Sequence, residues 1–289
     1  WPRPVTFRSM SPTQPRDAPP ALEDVFRAST TRGYLANTWE RRRYVWYVST
    51  GELRARQMNS ALGNLWHLLN PALQIAVFFL IFGVVLDTDR GVENFLLFLT
   101  VGVLIFQFTQ KVTTEGAKSI VNNSGLMRSI SFPRAVLPFT ATCIETLAML
   151  PAVLVLLAVA LLTGETPDLR WLVLLPIFLL QIAFNTGAAL VAARATSHIR
   201  DVEQILPFLF RLLFYASAII FSASQYIDGG YQWLFVANPI YCIATSARWA
   251  IGIGPIDGWV VLSMVSWSIG LLLFGFIWFR AAEATYGRQ

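Results

Sequence analysis

The sequence predicts an all-α, polytopic membrane protein with six transmembrane helices, and three observations carry that prediction. Charged residues make up 13% of the 289-residue chain, about half of the roughly 25% usual in soluble domains. The mean hydropathy is +0.54. The apolar residues are bunched into long runs, each close to the ~20 residues that a helix needs to cross a bilayer. Backbone groups in lipid must be paired within their own segment, so such runs fold as helices, and the alternation of a barrel strand is absent. The length leaves room for one small soluble piece and no second large domain.

The elements follow in chain order. Residues 1–33 read as a flexible cytosolic leader, because Pro12, Pro15, Pro19 and Pro20 break any helix there, save a short one over 22–27. No short apolar run precedes a small-residue cleavage site, so no signal peptide is expected. Residues 34–58 predict an N-terminal amphipathic interface helix. Leu35, Trp39, Trp46 and Leu53 share one side, Glu40, Arg41 and Arg43 lie away from it, and Arg42 intrudes. Tryptophan on one face and arginine on the others suits a helix in the headgroup layer, with an ordinary surface helix as the plainer alternative.

Residues 59–280 then form the transmembrane domain, with spans expected at 62–86, 95–117, 135–162, 171–193, 204–221 and 258–279, and 281–289 as a cytosolic tail. Asn70-Pro71 near the start of the first span either begins its straight part or kinks it. The segment 222–257 between spans five and six is long, half apolar and rich in aromatics, among them Tyr226, Tyr231, Trp233, Phe235 and Tyr241. Within it Asn238-Pro239 has the chemistry of a helix start. Two short periplasmic re-entrant helices, or equally a folded external cap, would account for it.

Charge sets the orientation. Ten basic residues precede the first span, Lys111, Lys118, Arg128 and Arg134 separate spans two and three, Arg194 and Arg200 separate four and five, and Arg280 and Arg288 follow the sixth. The opposite side holds only Arg90, Arg170 and Arg248. The positive-inside rule therefore puts both termini in the cytoplasm. Basic character is explained by topology and does not point to nucleic acid.

No chemistry-bearing motif is present: no P-loop, no G-x-S-x-G, no H-E-x-x-H, and two separated histidines, His67 and His198, at expected membrane edges. Cys143 and Cys242 have neither metal nor CxxC spacing and read as inert thiols. Two charges fall inside spans, Glu145 and Arg211, either paired across helices or facing a wet lumen, with snorkelling an equal alternative for Arg211. So few such charges argue against a proton-driven transporter. Aromatic rings stack on sugar faces, and Phe78, Phe79, Phe208, Phe214 and Tyr215 are the lining candidates, against ordinary packing. Between spans two and three, Asn122 and Asn123 break the helix. Leu126, Met127, Ile130 and Phe132 then make an apolar stripe beside Arg128. A short amphipathic helix over about 119–132 suits docking into a partner's groove.

Two stretches carry a resemblance. GELRARQMNSALGNLWHLLNPALQIAVFFLIFGVVL resembles the start of the first span of ABC-2 type permeases, and NNSGLMRSISFPRAVLP resembles their loop between spans two and three. Within that family the chain is most similar to the polysaccharide exporters, the Wzm subunit of O-antigen and galactan transporters and the teichoic acid permease, over roughly 35–280. The resemblance implies a homodimer in a bacterial inner membrane, working with two copies of a separate ABC ATPase that holds ATP and Mg. It implies no cofactor, metal or catalytic residue in this chain. The cargo would be a lipid-linked glycan, exported from cytoplasm to periplasm through a channel lined by spans one and five. The resemblance makes Asn122, Asn123, Leu126, Met127, Arg128, Ile130 and Phe132 the ATPase-coupling residues. It makes Trp39, Arg43 and Trp46 part of the interface helix and Tyr226, Trp233 and Tyr241 part of the periplasmic gate. An ABC-2 exporter of a small hydrophobic molecule is the alternative. A membrane-embedded glycosyl-lipid enzyme would need an acidic or histidine cluster at one membrane face, which is not found, and a secondary transporter would show an internal repeat.

Overall fold

The structure, a computed structural model, describes residues 31–56, 65–85, 92–129, 132–223 and 230–282. These residues are helical, with no strand among them. Helix α1 (Thr31–Glu40) and α2 (Arg42–Ala55) are separated at Arg41, so the expected single interface helix is two. Helix α3 (Leu65–Phe78) runs through Pro71 and continues as a π-helical stretch, Phe79–Val85. Then come α4 (Phe95–Asn122), the short α5 (Ser124–Ser129) and α6 (Val136–Leu162). A 3₁₀ turn, Leu169–Val173, leads into α7 (Leu174–His198), followed by α8 (Val202–Ala216). The chain closes with α9 (Gln232–Val236), α10 (Pro239–Ile251) and α11 (Gly258–Ala281).

Among the described residues, four helices are long and apolar enough to cross a membrane: Phe95–Asn122, Val136–Leu162, Leu169–His198 and Gly258–Ala281. The apolar Leu69–Val85 is shorter. The expected fifth span departs most from the sequence reading. Its 15-residue helix is about 22 Å long, short of a ~30 Å hydrocarbon core. The chain then turns through 217–223 with Ala218 at φ +48. Between it and α11 lie the two short helices α9 and α10, the second starting as the sequence predicts. The Asn238 side chain accepts from the amides of Ile240 and Tyr241, Pro239 takes the first position, and Gly252 closes the helix at φ +107.

Helix α4 is the hub. It packs on α6, α7 and α10, and α7 in turn packs on α11. Close approach is set by missing side chains: a Cβ on Gly187 would lie 2.5 Å from the Leu271 backbone, and one on Gly275 would lie 2.6 Å from the Gly187 carbonyl oxygen. Small residues at such crossings let helix backbones approach where lipid supplies no hydrophobic drive.

A second, smaller core gathers at the other end of the bundle. Tyr34, Ile120, Leu137, Leu190 and Phe279 are buried together, with Leu126, Met127 and Phe132 packed against them. Tyr34 fixes α1 there: its hydroxyl accepts from the Ala135 amide at 3.3 Å, and its ring meets Phe276 at 5.8 Å.

Candidate functional site

The hub helix is enclosed everywhere except along one stripe. Between Phe95 and Phe106 only Leu96 is not fully buried. From Gln107 to Lys118 the accessible positions are Gln107, Gln110, Lys111, Thr114, Glu115 and Lys118, while the intervening Phe108, Thr109, Val112, Thr113, Gly116 and Ala117 are buried. A spacing of three and four residues puts all six polar side chains on one helical face. A polar stripe on a membrane-crossing helix faces protein or water, because facing lipid is costly.

Neighbouring helices extend the stripe. Gln107 donates to the Gln74 side chain of α3 at 2.6 Å. On α8 the exposed Gln204, Phe208, Arg211 and Tyr215 recur at helical spacing, and the Arg211 guanidinium sits 5.8 Å from the Phe208 ring. Lys118 bridges the two helices, with Glu115 at 3.9 Å and Glu203 at 3.8 Å. Behind this polar wall Phe106 meets Phe210 and Phe214, and Phe214 stacks on Phe78 at 5.5 Å.

The expected lining residues thus divide. Phe208 and Tyr215 point outward on the wall, whereas Phe78, Phe79 and Phe214 are half-buried in packing. Lys111 and Lys118, counted from the sequence with the loop charges, both lie within α4: Lys111 falls inside the expected span itself, and Lys118 is taken in because the helix runs five residues past the expected end at 117. Their i, i+7 spacing was the available signal.

Glu145 and Arg211 do not pair. Glu145, 5% exposed, accepts from Arg56 at the end of α2 at 2.8 Å. Burial works against the Arg56 charge, but the hydrogen bond and charge of Glu145, with Glu115 and Glu52 adding, hold its guanidinium above its usual value. The pair joins the interface helix to α6, as does the Ser49 hydroxyl, which donates to the Thr140 carbonyl. Ser49 is buried and Val45 and Leu53 half-buried, while Trp39, Arg43 and Trp46 are exposed.

In the expected coupling segment, Asn123 ends α4 with its side chain donating to the Ser119 carbonyl at 2.8 Å. The apolar stripe does not face outward: Leu126, Met127 and Phe132 turn into the second core, leaving Asn122, Ser124 and Gly125 exposed. Ile130 and the Arg128 side chain lie outside the described residues, as does Tyr226 of the expected gate. Trp233 is exposed, while Tyr241 is buried against Phe235 at 5.3 Å.

Sequence reasoning missed Arg248, placed among external loop charges. It is 4% exposed in α10. Its guanidinium donates to the carbonyls of Phe98 at 3.2 Å, Ala218 at 3.3 Å and Ile219 at 3.1 Å, and lies 3.4 Å from the Phe98 ring centroid. It thereby caps the carbonyls left open where the chain unwinds beyond α8. No local pattern marks it, because its acceptors are 29 to 150 residues away.

A cavity of about 600 Å³ opens at the Phe95 end, lined in part by Phe79, Glu93, Asn94 and Thr163. Asn94 is already committed there, capping α4 through the Leu97 amide and donating to Glu165. Among the described residues no cluster of three or more His, Cys, Asp or Glu could hold a metal.

Known proteins resemble this chain in sequence. The chain is 28% identical over 202 residues (70% of this chain, 77% of the relative) to the O-antigen export system permease protein RfbA of Klebsiella pneumoniae. It is 28% identical over 196 residues (68% and 75%) to the RfbA of Myxococcus xanthus. It is 23% identical over 234 residues (80% and 90%) to the polysialic acid transport protein KpsM of Escherichia coli. The family described as ABC-2 type transporter matches residues 43–251. The chain belongs to the ABC-2 type transporter family, whose members named here are transport permeases and not enzymes.

Proposed function

We propose that this chain is the membrane subunit of an ATP-driven exporter that moves a lipid-linked polysaccharide from cytoplasm to periplasm. The observation that carries it is the wall of α4 and α8, polar side chains interspersed with outward-facing rings. A sugar chain presents hydroxyls to hydrogen-bond and apolar ring faces to stack, and needs a wall of both kinds. A small hydrophobic cargo has no use for six polar groups along a membrane helix. Relatives named for O-antigen export and polysialic acid transport support the same reading.

In this reading α3 with its π-helical end, the four long helices, and α8 with the turn beyond it make six crossings. The Asn122 end of α4 is cytoplasmic. Taking Lys111 and Arg248 out of the loop count leaves seventeen basic residues on the cytoplasmic side against Arg90 and Arg170. Two copies face each other across the polar wall, which closes a wet lumen between them. Phe208 and Tyr215 line it, and α9 and α10, with Trp233 and Tyr241, form its periplasmic gate. Trp39, Arg43 and Trp46 sit among lipid headgroups.

Two ABC ATPase subunits bind below and hold ATP and Mg. They contact the coupling segment through the exposed Asn122, Ser124 and Gly125. The inward Leu126, Met127 and Phe132 pass any displacement to α1, α6 and α11 through the second core. Such coupling requires ATP-driven contacts that differ between two states.

The test is reconstitution in proteoliposomes with an ABC ATPase partner, assaying ATP hydrolysis with lipid-linked glycans and with small hydrophobic compounds. Stimulation by glycan is the expected result. Stimulation only by small compounds would overturn the polysaccharide reading, and no association with the ATPase would overturn the assembly.

A further inference from the structure

Two cations on the polar wall are left without a counter-charge. Four carboxylates near the cytoplasmic end already have a cation: Glu145 and Glu52 have Arg56, Glu115 and Glu203 have Lys118. Lys111 and Arg211 are both exposed on the wall, and among the described residues no carboxylate lies within 4.0 Å of either. The chain has only two lysines, and both fall on the one open stripe of α4, two turns apart.

The two free cations share a depth. Helices α4 and α8 run antiparallel, with Lys118 beside Glu203 at one end and Phe106 against Phe210 and Phe214 further out. That register puts Lys111 near the level of Phe208, about one turn from Arg211. By helix rise Lys111 is about 24 Å from the Phe95 end, inside a core ~30 Å thick. A charge this near the cytoplasmic edge of the core either snorkels to the headgroups or faces water, and the polar wall that carries both cations favours water.

From this we infer that Lys111 and Arg211 form an anion-binding band inside the wall, which recognises phosphate or carboxylate groups of the cargo as it enters the lumen. The inference rests on the export reading and adds that the cargo is read by charge as well as by its sugar rings. Arg211 suits planar, two-point recognition of either anion, and Lys111 serves as a mobile point charge.

The full chain with its ATPase partner, in nanodiscs of phosphatidylcholine alone, tests this with three fluorescent probes. They are an α2,8-linked oligosialic acid, a neutral dextran oligomer of equal length, and farnesyl diphosphate. The expected result is binding of at least one anionic probe about tenfold tighter than dextran. Lys111→Gln with Arg211→Gln should abolish that preference, and the charge-keeping Lys111→Arg with Arg211→Lys should retain it. Preference for the oligosialic acid assigns the band to charges on the repeating unit, and preference for the diphosphate assigns it to the carrier end. Dextran bound as tightly as both anions would sink the charge reading and leave polysaccharide export standing. A preference that survives the double Gln variant, or no binding of either anion, would also overturn the band. Size-exclusion profiles of both variants separate lost binding from lost assembly.

Discussion

Replacing Gly102 by alanine should destabilise the protein, although alanine in a helix interior normally stabilises by about 1 kcal/mol relative to glycine. The Cβ would lie 2.5 Å from Nη2 of Arg248 and 3.2 Å from both the side chain and the carbonyl oxygen of Ile219. The guanidinium has nowhere to retreat, since it stacks on Phe98 and is held by three carbonyls. Displacing it forfeits at least one buried charge-assisted hydrogen bond, about 1.5–3 kcal/mol. Forcing the contact adds about 1–3 kcal/mol of overpacking. Set against the helix gain, the net loss is about 2–5 kcal/mol, or a fall in Tm on the order of 5–15 °C. The control is Gly270→Ala in α11, where nothing lies within 4 Å of the new Cβ and Tm should hold or rise. The assay is thermal unfolding of the detergent-purified protein, followed by tryptophan fluorescence. If Gly102→Ala matches Gly270→Ala, the Arg248 clamp does not hold the turn after α8, and that account of the broken fifth segment fails.

Three further outcomes follow from the packing. Arg56→Ala strands the buried Glu145, whereas Glu145→Gln keeps a hydrogen-bonding partner for Arg56. Thermal unfolding should therefore rank Arg56→Ala as the more damaging, by about 1 kcal/mol after allowing for the partly exposed arginine, and equal losses would refute the role of the pair. Gly187→Ala drives a Cβ to 2.5 Å from the Leu271 backbone, which cannot yield as a side chain can. It should cost more than Gly102→Ala and lower the yield of folded protein, while Gly51→Ala, with open space around it, should not. Leu126→Asp puts a charge into the second core, so Tm should fall together with coupled ATP hydrolysis. An unchanged Tm with lost coupling would place Leu126 on the ATPase surface instead.

Much of the fold is legible in the residue pattern because lipid enforces it. Apolar runs had to be helices, and the starts of α6 and α11 fall within a residue of the expected spans. Asn238-Pro239 announced the start of α10 by local chemistry alone, since a cap is a matter of three adjacent residues. The candidate site was less legible. Aromatic residues in the first and fifth apolar segments were visible, but Phe214 and Phe208 look alike in sequence, and only packing puts the first inside and the second on the wall. The apolar residues in and after α5 were visible in the sequence, but an apolar stripe does not say whether it covers a partner or its own chain.

The sequence by itself determined that this protein is helical and lives in a membrane, because charge density and run length are properties of the chain alone. Its basic residues, by their placement, also fixed the expected orientation. The tertiary structure alone decided which stripe of α4 stays open, that Lys111 upon it and Arg211 beside it on α8 have no ion-pair partner among the described residues, and that the fifth segment breaks after Ala216. The physical reason is shared. Hydrophobicity reports that a side chain leaves water, not whether it enters lipid or protein, and a buried charge such as Arg248 is defined by carbonyls far along the chain that no local pattern can foretell.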